Sequence, residues 1–550
     1  MSQDLDRVIQ GPLEVSYTDD EHVVRHAATE DYTTHIMPMT WRSGRFSLTM
    51  AWWAMMSGVV YLVTAAVVAL AVGTVNALIG MTLAAIAFSA ANFLFSRYAA
   101  RTGLTVALLS RRLFGHGGAA LASLLFAGTA IYYAVFEGSV VAVALHRYFG
   151  GALEIWYLAV VVYSIPLVVG GVRRWLDKLN GVLLPFYMAG LVAAVVLAAS
   201  SDTASSDWLT RGPEAAPALA GPGWLFAFVT YLGMAILMMF TIDFARFGRK
   251  QDETFHGVVT FGPVFYLLAF LVNGLAGIFL VDSLATDGPL SESSVVTGIV
   301  DLMGIFGVLF ILATQTRINT ANFYLASTNL EAFFSRVFRV RMPRVAWLLV
   351  AGVLAYLLML TDVLSYLLAA LAWQAVFIIA WVGVALTHVA LNRRGDKNGL
   401  PEFRPGRVKA VTPGLAAWFL AAGCGILLLT LGGRFGATWS SLVTLVLSVV
   451  LYLAASKLPG RWLLDRPGDP RDEVADIWEA RVKCHRCGHS YTAVEMDRDP
   501  STPDHAAICA ACGITSADFL RAARADAGRT AGAKRPEATT PVTEPDPVKQ

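Results

Sequence analysis

Twelve runs of about 20 apolar residues follow one another in this chain, and each is long enough to cross the hydrocarbon core of a bilayer. They lie at 46–71, 74–96, 118–146, 154–172, 181–200, 222–243, 257–282, 297–327, 345–361, 364–391, 413–432 and 438–456. One such run alone could be a buried core helix. Twelve in succession specify an all-α polytopic membrane protein, because only helices satisfy every backbone polar group in lipid without a closed barrel. Composition agrees, with 56% hydrophobic and 15% charged residues, against roughly 25% charged in an ordinary soluble chain. The 42 Lys+Arg nearly cancel the 40 Asp+Glu, which gives a nucleic-acid partner no support. Five Cys in 550 residues are too few for a disulfide framework.

The connecting segments predict an orientation. Twenty basic residues lie between runs 2–3, 4–5, 6–7, 8–9 and 10–11, among them Arg111, Arg246, Arg344 and Arg404. The opposite connections hold three, Arg147, Arg211 and Arg434. Cytoplasmic loops carry the excess of Lys and Arg, so both termini are expected in the cytoplasm, with the chain in an inner or plasma membrane. Residues 1–45 are polar and acidic and read as a cytoplasmic tail, with no cleaved signal peptide expected. Residues 46–456 form the membrane domain and 457–522 a small polar module. Residues 523–550, rich in Ala, Pro, Thr and charge, are expected to be disordered.

The module contains Cys484-His-Arg-Cys487-Gly and Cys509-Ala-Ala-Cys512-Gly. Two C-x-x-C-G knuckles at this spacing predict a tetrahedral Cys₄ site for structural Zn²⁺. A pair of redox motifs is the weaker alternative, and His485, His489 or His505 could replace a ligand. A closed set of four thiolates points to a module that folds on its metal and does no chemistry, with a cytoplasmic protein as a possible partner. Cys424 lies in an apolar run and is expected to be a packing residue.

Ionisable groups inside spans are costly and therefore functional candidates. Arg317 and Glu137 are the two that sit well inside a run. Tyr133 and Glu137 are one turn apart on one helix face, where an aromatic plane beside a carboxylate suits a flat ligand with N–H donors; a buried structural Glu is the plainer reading. Gln315, Asn319 and Asn322 form a polar stripe on the eighth run, although amides in spans can also serve helix packing. The first run is interrupted at Met56-Ser57-Gly58 and the sixth at Leu232-Gly233-Met234. That placement matches an inverted repeat of five plus five helices with two broken members and two extra helices.

The sixth run closes on Asp243-Phe-Ala-Arg246-Phe, which resembles the D-F-[SA]-R-[YF] signature of nucleobase–cation symporters, the purine–cytosine, allantoin and hydantoin permeases. Asn319-x-x-Asn322-x-Tyr324 is similar to the Asn-rich segment of cytosine permeases. The resemblance covers roughly residues 35–456 and leaves the cysteine module outside. It implies the leucine-transporter fold, with substrate held between broken helices 1 and 6 and helices 3 and 8. It places Tyr133 and Glu137 where hydantoin-type members carry Trp and Gln, Met234 after Gly233 where they carry a second Trp, and Asn322 where they carry an Asn that bonds the heterocycle. Ser57 and Gly58 would let backbone approach the ligand. Sodium-coupled relatives use small hydroxyl residues where this chain has Arg317 and Ile318. A guanidinium offers the ion no oxygen and repels it, so no sodium site is expected and Arg317 stands there as a fixed cation.

The expected function is therefore import of a nucleobase-like or related nitrogenous heterocycle by alternating access, sodium-independent and proton-coupled. Glu137 is the first candidate proton carrier and Asp243 the second, although pairing of Asp243 with Arg246 or Arg249 at a cytoplasmic gate is its more natural role. The alternatives are an amine or amino-acid carrier of the same fold, and a metabolite sensor that signals through the cysteine module. The spans show no Ser–His pair, no P-loop and no His-rich cluster that would suggest an enzyme.

Overall fold

The computed structural model describes residues 10–533 except 205, 215–219, 285–291, 341, 362, 393–399 and 459. All twelve apolar runs are helical. Span 1 is Arg45–Ser57 with Val59–Val72, span 2 Thr74–Thr102, span 3 Val106–Phe149 with a kink at Gly115 (φ 84°, ψ 165°), span 5 Asp177–Ala199 and span 6 Gly223–Leu232 with Ile236–Ala245. Span 7 is Lys250–Ser283, span 10 Val363–Leu391, span 11 Pro413–Leu431 and span 12 Gly433–Ser456. Among the described residues, seven helices are long and apolar enough to cross a membrane, or nine if each bent pair is one span. Span 4, Leu153–Val169, and span 9, Arg344–Met359, are shorter at 17 and 16 residues. Span 8, Ile305–Val337, has 33 residues but carries the polar stripe.

The bundle packs through small residues. A Cβ added to Gly277 of span 7 would lie 2.2 Å from the Leu62 carbonyl oxygen of span 1, and one added to Gly80 of span 2 would lie 2.4 Å from the Ala227 Cβ of span 6. In lipid, close backbone approach of this kind replaces the hydrophobic drive that is missing between helices. Spans 3 and 8 pack along each other over most of their length.

Span 1 bends by 43° and span 6 by 40° at their breaks. In span 1 the turn tightens to 3₁₀ over Trp53–Ser57, and Gly58 then becomes extended at φ −62° and ψ 134°. In span 6 the amides of Gly233, Met234 and Ala235 each bond three residues back, at 3.0 Å. The eighth run differs from expectation. A separate helix, Glu292–Met303, ends at Gly304, whose φ of 58° is open to glycine at little cost, and span 8 starts only at Ile305.

Residues 10–44 and 457–533 gather on one side of the bundle, here the terminal side. Val15–Ser16 (β1) pairs antiparallel with Arg481–Lys483 (β2), which pairs with Ser490–Thr492 (β3). Met496–Arg498 (β4) pairs with Ala507–Cys509 (β5). The segment between spans 10 and 11 holds the module through a buried ion network. Arg404 meets Glu402 and Asp469, each at 2.6 Å, Arg407 meets Asp497 at 3.0 Å, and Arg466 meets Asp497 at 3.0 Å and Asp526 at 3.2 Å. Burial alone would raise the Glu402 carboxyl, but the guanidiniums of Arg404 and Arg471 hold it at about 2, below its ordinary 4.5. A depressed carboxyl contributes stability above its unfolded value and loses it as the pH falls through the folded one, so this contribution is complete at neutral pH.

Two expectations are corrected here. The tail expected to be disordered from 523 is helical over Ala517–Ala533, and residues 534–550 lie outside the described residues. The reason is a helical stripe of Phe519, Ala523, Asp526 and Ala527, all buried, on an Ala-rich segment of high helix propensity. Cys424 is exposed on span 11 and is not a packing residue.

Candidate functional site

The break in span 1 frees backbone carbonyls that would otherwise close the helix. Three carbonyls there are met from other spans, and the Ala54 carbonyl accepts from the Ser57 hydroxyl of the same span at 2.8 Å. The Arg317 Nη2 donates to the Trp53 carbonyl at 2.8 Å, with the guanidinium 5.5 Å from the centroid of the Tyr187 ring. The Asn273 Nδ2 donates to the Met56 carbonyl at 2.6 Å, and Asn273 accepts from the Tyr187 hydroxyl at 2.6 Å. The Thr314 hydroxyl donates to the Ser57 carbonyl, and the Ser57 hydroxyl donates back to the Thr314 carbonyl at 3.0 Å.

Glu137, fully buried on span 3, faces the same break. Its carboxylate accepts from the Gln315 Nε2 at 2.5 Å, and the Gln315 Oε1 accepts from the Val59 amide at 3.4 Å. A Cβ on Gly58 would lie 2.7 Å from the Ile318 Cδ1 and 3.4 Å from the Glu137 Oε1, so spans 1, 3 and 8 close on a position without a side chain. Ser57, Gly58 and Glu137 are thus brought together as one cluster. Arg317 reaches the other way, toward Trp53 and Tyr187.

A cavity of about 310 Å³ lies between the breaks and the face opposite the terminal side. Tyr133 of span 3 and Gly233 and Met234 of span 6 line it, together with Tyr132, Phe136 and Thr230. The described residues lining it include no charged side chain. Aromatic walls with hydroxyl tips suit a small flat ligand. Asn319 and Asn322 do not line this cavity. Both Asn319 amide atoms and the Asn322 Nδ2 are buried without a partner among the described residues, and the Asn319 Nδ2 would lie 3.5 Å from a Cβ on Gly138. Leaving such groups unpaired costs about 1–3 kcal/mol each, so the two Nδ2 donors and the Asn319 Oδ1 acceptor are groups that a second state or a ligand edge can satisfy.

On the terminal side the pathway is shut. The Asp243 carboxylate makes its hydrogen bond to backbone, with the Arg246 guanidinium acting on it through space. Its Oδ1 accepts from the Val106 amide at 2.8 Å and so caps the N-terminus of span 3, where free N–H groups favour an anion. Arg246 donates to the Asp243 carbonyl at 3.1 Å, the Tyr32 carbonyl at 3.3 Å and the Tyr324 hydroxyl at 3.2 Å. Residues 30–33 cross this gate. The Glu30 carboxylate accepts from the Arg344 amide at 2.5 Å, Asp31 accepts from the Val172 amide at 2.7 Å, and the Thr33 hydroxyl donates to Glu331 at 2.5 Å. Asp31 and Tyr32 both hold positive φ, 52° and 54°. That conformation costs non-glycine residues about 1–2 kcal/mol each and persists only where the surroundings impose it.

The four cysteines meet as the spacing predicts, their Sγ atoms all within 4.8 Å of one another. Tetrahedral Zn–S bonds of about 2.3 Å require sulfurs roughly 3.8 Å apart, so the set fits such an ion. Backbone amides approach the sulfurs, Cys509 N to Cys484 Sγ and Cys512 N to Cys509 Sγ, each at 3.4 Å. His485 is turned to Asp499 at 3.0 Å and His489 stacks on His22 at 4.1 Å, so the donor set is the four thiols.

Several of these residues carried no local signal. The Trp53 carbonyl is backbone, and Tyr187 and Asn273 lie in otherwise apolar spans. Gln315 did stand out, as the first member of the polar stripe.

The fold, with its first and sixth spans broken, resembles that of solved membrane transporters. It matches Mhp1, a nucleobase-cation-symport-1 family transporter, in a closed conformation with bromovinylhydantoin bound, at a TM-score of 0.62 and 17% identity over 78% of this chain and 94% of that one. The inward-facing conformation of Mhp1 matches at 0.61 and 16%, over 80% and 96%. A Na⁺-coupled sialic acid symporter in a substrate-bound outward-open state matches at 0.53 and 11%, over 80% and 93%. At these identities the likeness is one of fold: the chain is an integral membrane protein with the leucine-transporter architecture, and the two proteins seen in these three structures are transporters. No family model matches the sequence, and no curated protein sequence is significantly similar to it.

Proposed function

We propose that the chain is a secondary transporter that imports a nucleobase-like or related small nitrogenous heterocycle, independently of sodium and coupled to protons. The observation that carries the coupling is the filled break of span 1. In transporters of this architecture, carbonyls released by an unwound helix coordinate the driving cation. Here N–H donors of Arg317 and Asn273 and the hydroxyl of Thr314 already occupy those carbonyls. A guanidinium in their midst adds a positive charge and no oxygen ligand, so the site competes poorly for sodium. Glu137, buried beside Gly58 at the same break, is the candidate to carry a proton.

The cavity supports the substrate class. Tyr133 offers an aromatic plane at its wall and Gly233 and Met234 form the break of span 6 beside it. Asn319 and Asn322 supply amide donors deeper in span 8 once the bundle rocks. The cavity lies on the side of the breaks opposite the termini, and Arg246, Tyr324 and residues 30–33 pack together on the other side. The tetrad holds Zn²⁺ as an organising metal. Uptake of labelled cytosine, uracil, hydantoin and allantoin into a strain lacking its own carriers tests the reading. At least one is expected to accumulate about tenfold or more above the empty-vector strain; uptake of none would overturn the substrate class.

A further inference from the structure

Residues 30–37 form a strap with two anchorages. On one side Glu30, Asp31, Tyr32 and Thr33 bond the gate, through Arg344, Val172, Arg246 and Glu331. On the other side the strap is gripped by the cysteine module. His35 Nδ1 lies 2.7 Å from the Glu495 Oε1, the Ile36 amide donates to the Glu495 Oε2 at 2.9 Å, and the His35 ring stacks on Tyr491 with centroids 3.9 Å apart. Further upstream, β1 joins the sheet of β2 and β3, and Asp20 accepts from the Ser490 amide at 3.0 Å.

Every gripping element is built on the tetrad. The β2–β3 hairpin carries Cys484 and Cys487 in its turn. Glu495 immediately precedes β4, whose partner strand β5 ends at Cys509. These strands are two or three residues long, too short to hold a sheet together unaided. Four thiolates sharing one cation would join both hairpins at a single point. The tetrad also lies next to the gate. A second cavity of about 310 Å³ between them is lined by Cys487, Cys509 and Cys512 on one side and Arg111 and Glu331 on the other.

We infer that the tetrad is a regulatory metal site. A soft divalent cation of the Zn²⁺ class, held by the four thiolates, locks the strap across the gate and keeps the terminal side closed. Loss of the ion loosens both hairpins, frees residues 30–37, and lets that side open. The left-handed backbone at Asp31 and Tyr32 is imposed by the two anchorages, so the strap springs away when one is released. The inference rests on the metal reading of the tetrad.

The test uses the full-length protein, loaded with Zn²⁺ or stripped by a chelator, with metal content measured by mass spectrometry and backbone protection by hydrogen–deuterium exchange. One Zn²⁺ per chain is expected in the loaded form. On stripping, amides of residues 31–37 are expected to exchange about tenfold faster or more, while spans 2 and 12 stay protected. Glu495→Ala leaves all four thiols in place, removes both oxygens that face His35 and Ile36, and is expected to bind one Zn²⁺ yet show the same acceleration at 31–37. A chain that binds one Zn²⁺ but protects 31–37 equally in both forms overturns the lock and leaves the metal site standing. Protection lost evenly across the spans also overturns the lock, since the metal would then hold the whole fold. A chain that takes up no Zn²⁺ overturns the metal site and the lock together.

Discussion

Arg317→Met is expected to lower the initial rate of uptake about 10- to 100-fold and to reduce the melting temperature of the purified protein. The side chain is fully buried, and its Nη2 is the described donor to the Trp53 carbonyl at the break of span 1. Methionine keeps the unbranched apolar stem but leaves that carbonyl unpaired in a dry site, a cost of about 1–3 kcal/mol. It also removes the cation stacked over Tyr187. At about 1.4 kcal/mol per decade, the carbonyl alone accounts for the rate loss if the bent geometry of span 1 is needed in the transition between states. Arg317→Lys keeps a charge but not the planar fork, and is expected to fall between the two. A methionine variant with full activity and unchanged thermal stability would show that Arg317 neither shapes the break nor stands in for an ion.

Glu137→Gln is expected to abolish the dependence of net uptake on the pH gradient while leaving substrate exchange across the membrane measurable. The amide has nearly the same shape, so the close contact of spans 1, 3 and 8 at Gly58 survives. What is lost is the group that can take up and release a proton. The Gln315 Nε2 now donates to the carboxylate at 2.5 Å and can still donate to an amide oxygen, which limits the structural damage. Net uptake driven by a pH gradient is expected to drop at least about 100-fold, a loss of roughly 2.7 kcal/mol. Counterflow in preloaded proteoliposomes should stay within a few-fold of the parent. If Glu137 is only a packing group, the variant will lower stability and leave the pH dependence as it was.

Much of the fold was legible because lipid imposes one rule on every span. Length and apolarity located all twelve helices, and Met56-Ser57-Gly58 and Leu232-Gly233-Met234 marked both sharp bends. The break at Gly304 was hidden, since a single glycine amid apolar residues on both sides looks the same in a continuous helix. The helix over 517–533 was hidden by composition: Ala, Arg and Asp hold their positions through a sparse stripe and the distant partner Arg466. The site divides in the same way. Side chains that break the apolar pattern, Glu137, Arg317 and the Gln315 stripe, announced themselves, and so did the four cysteines. Partners that are backbone or far away in sequence did not. Nothing around Asp243 in the sequence tells that its carboxylate caps Val106, and nothing near Trp53 marks its carbonyl as the acceptor for Arg317. The grip of the cysteine module on residues 35–36 joins positions about 460 residues apart, beyond the reach of any local pattern.

The filled break of span 1 is tested most directly by uptake into proteoliposomes of the purified chain, with the external Na⁺ salt replaced by the choline salt at fixed pH and an imposed proton gradient. The initial rate is expected to be unchanged in choline and to collapse when an ionophore dissipates the pH gradient. Uptake that stops in choline and is restored by Na⁺ would contradict the assignment of Arg317 as the cation that stands where sodium would bind.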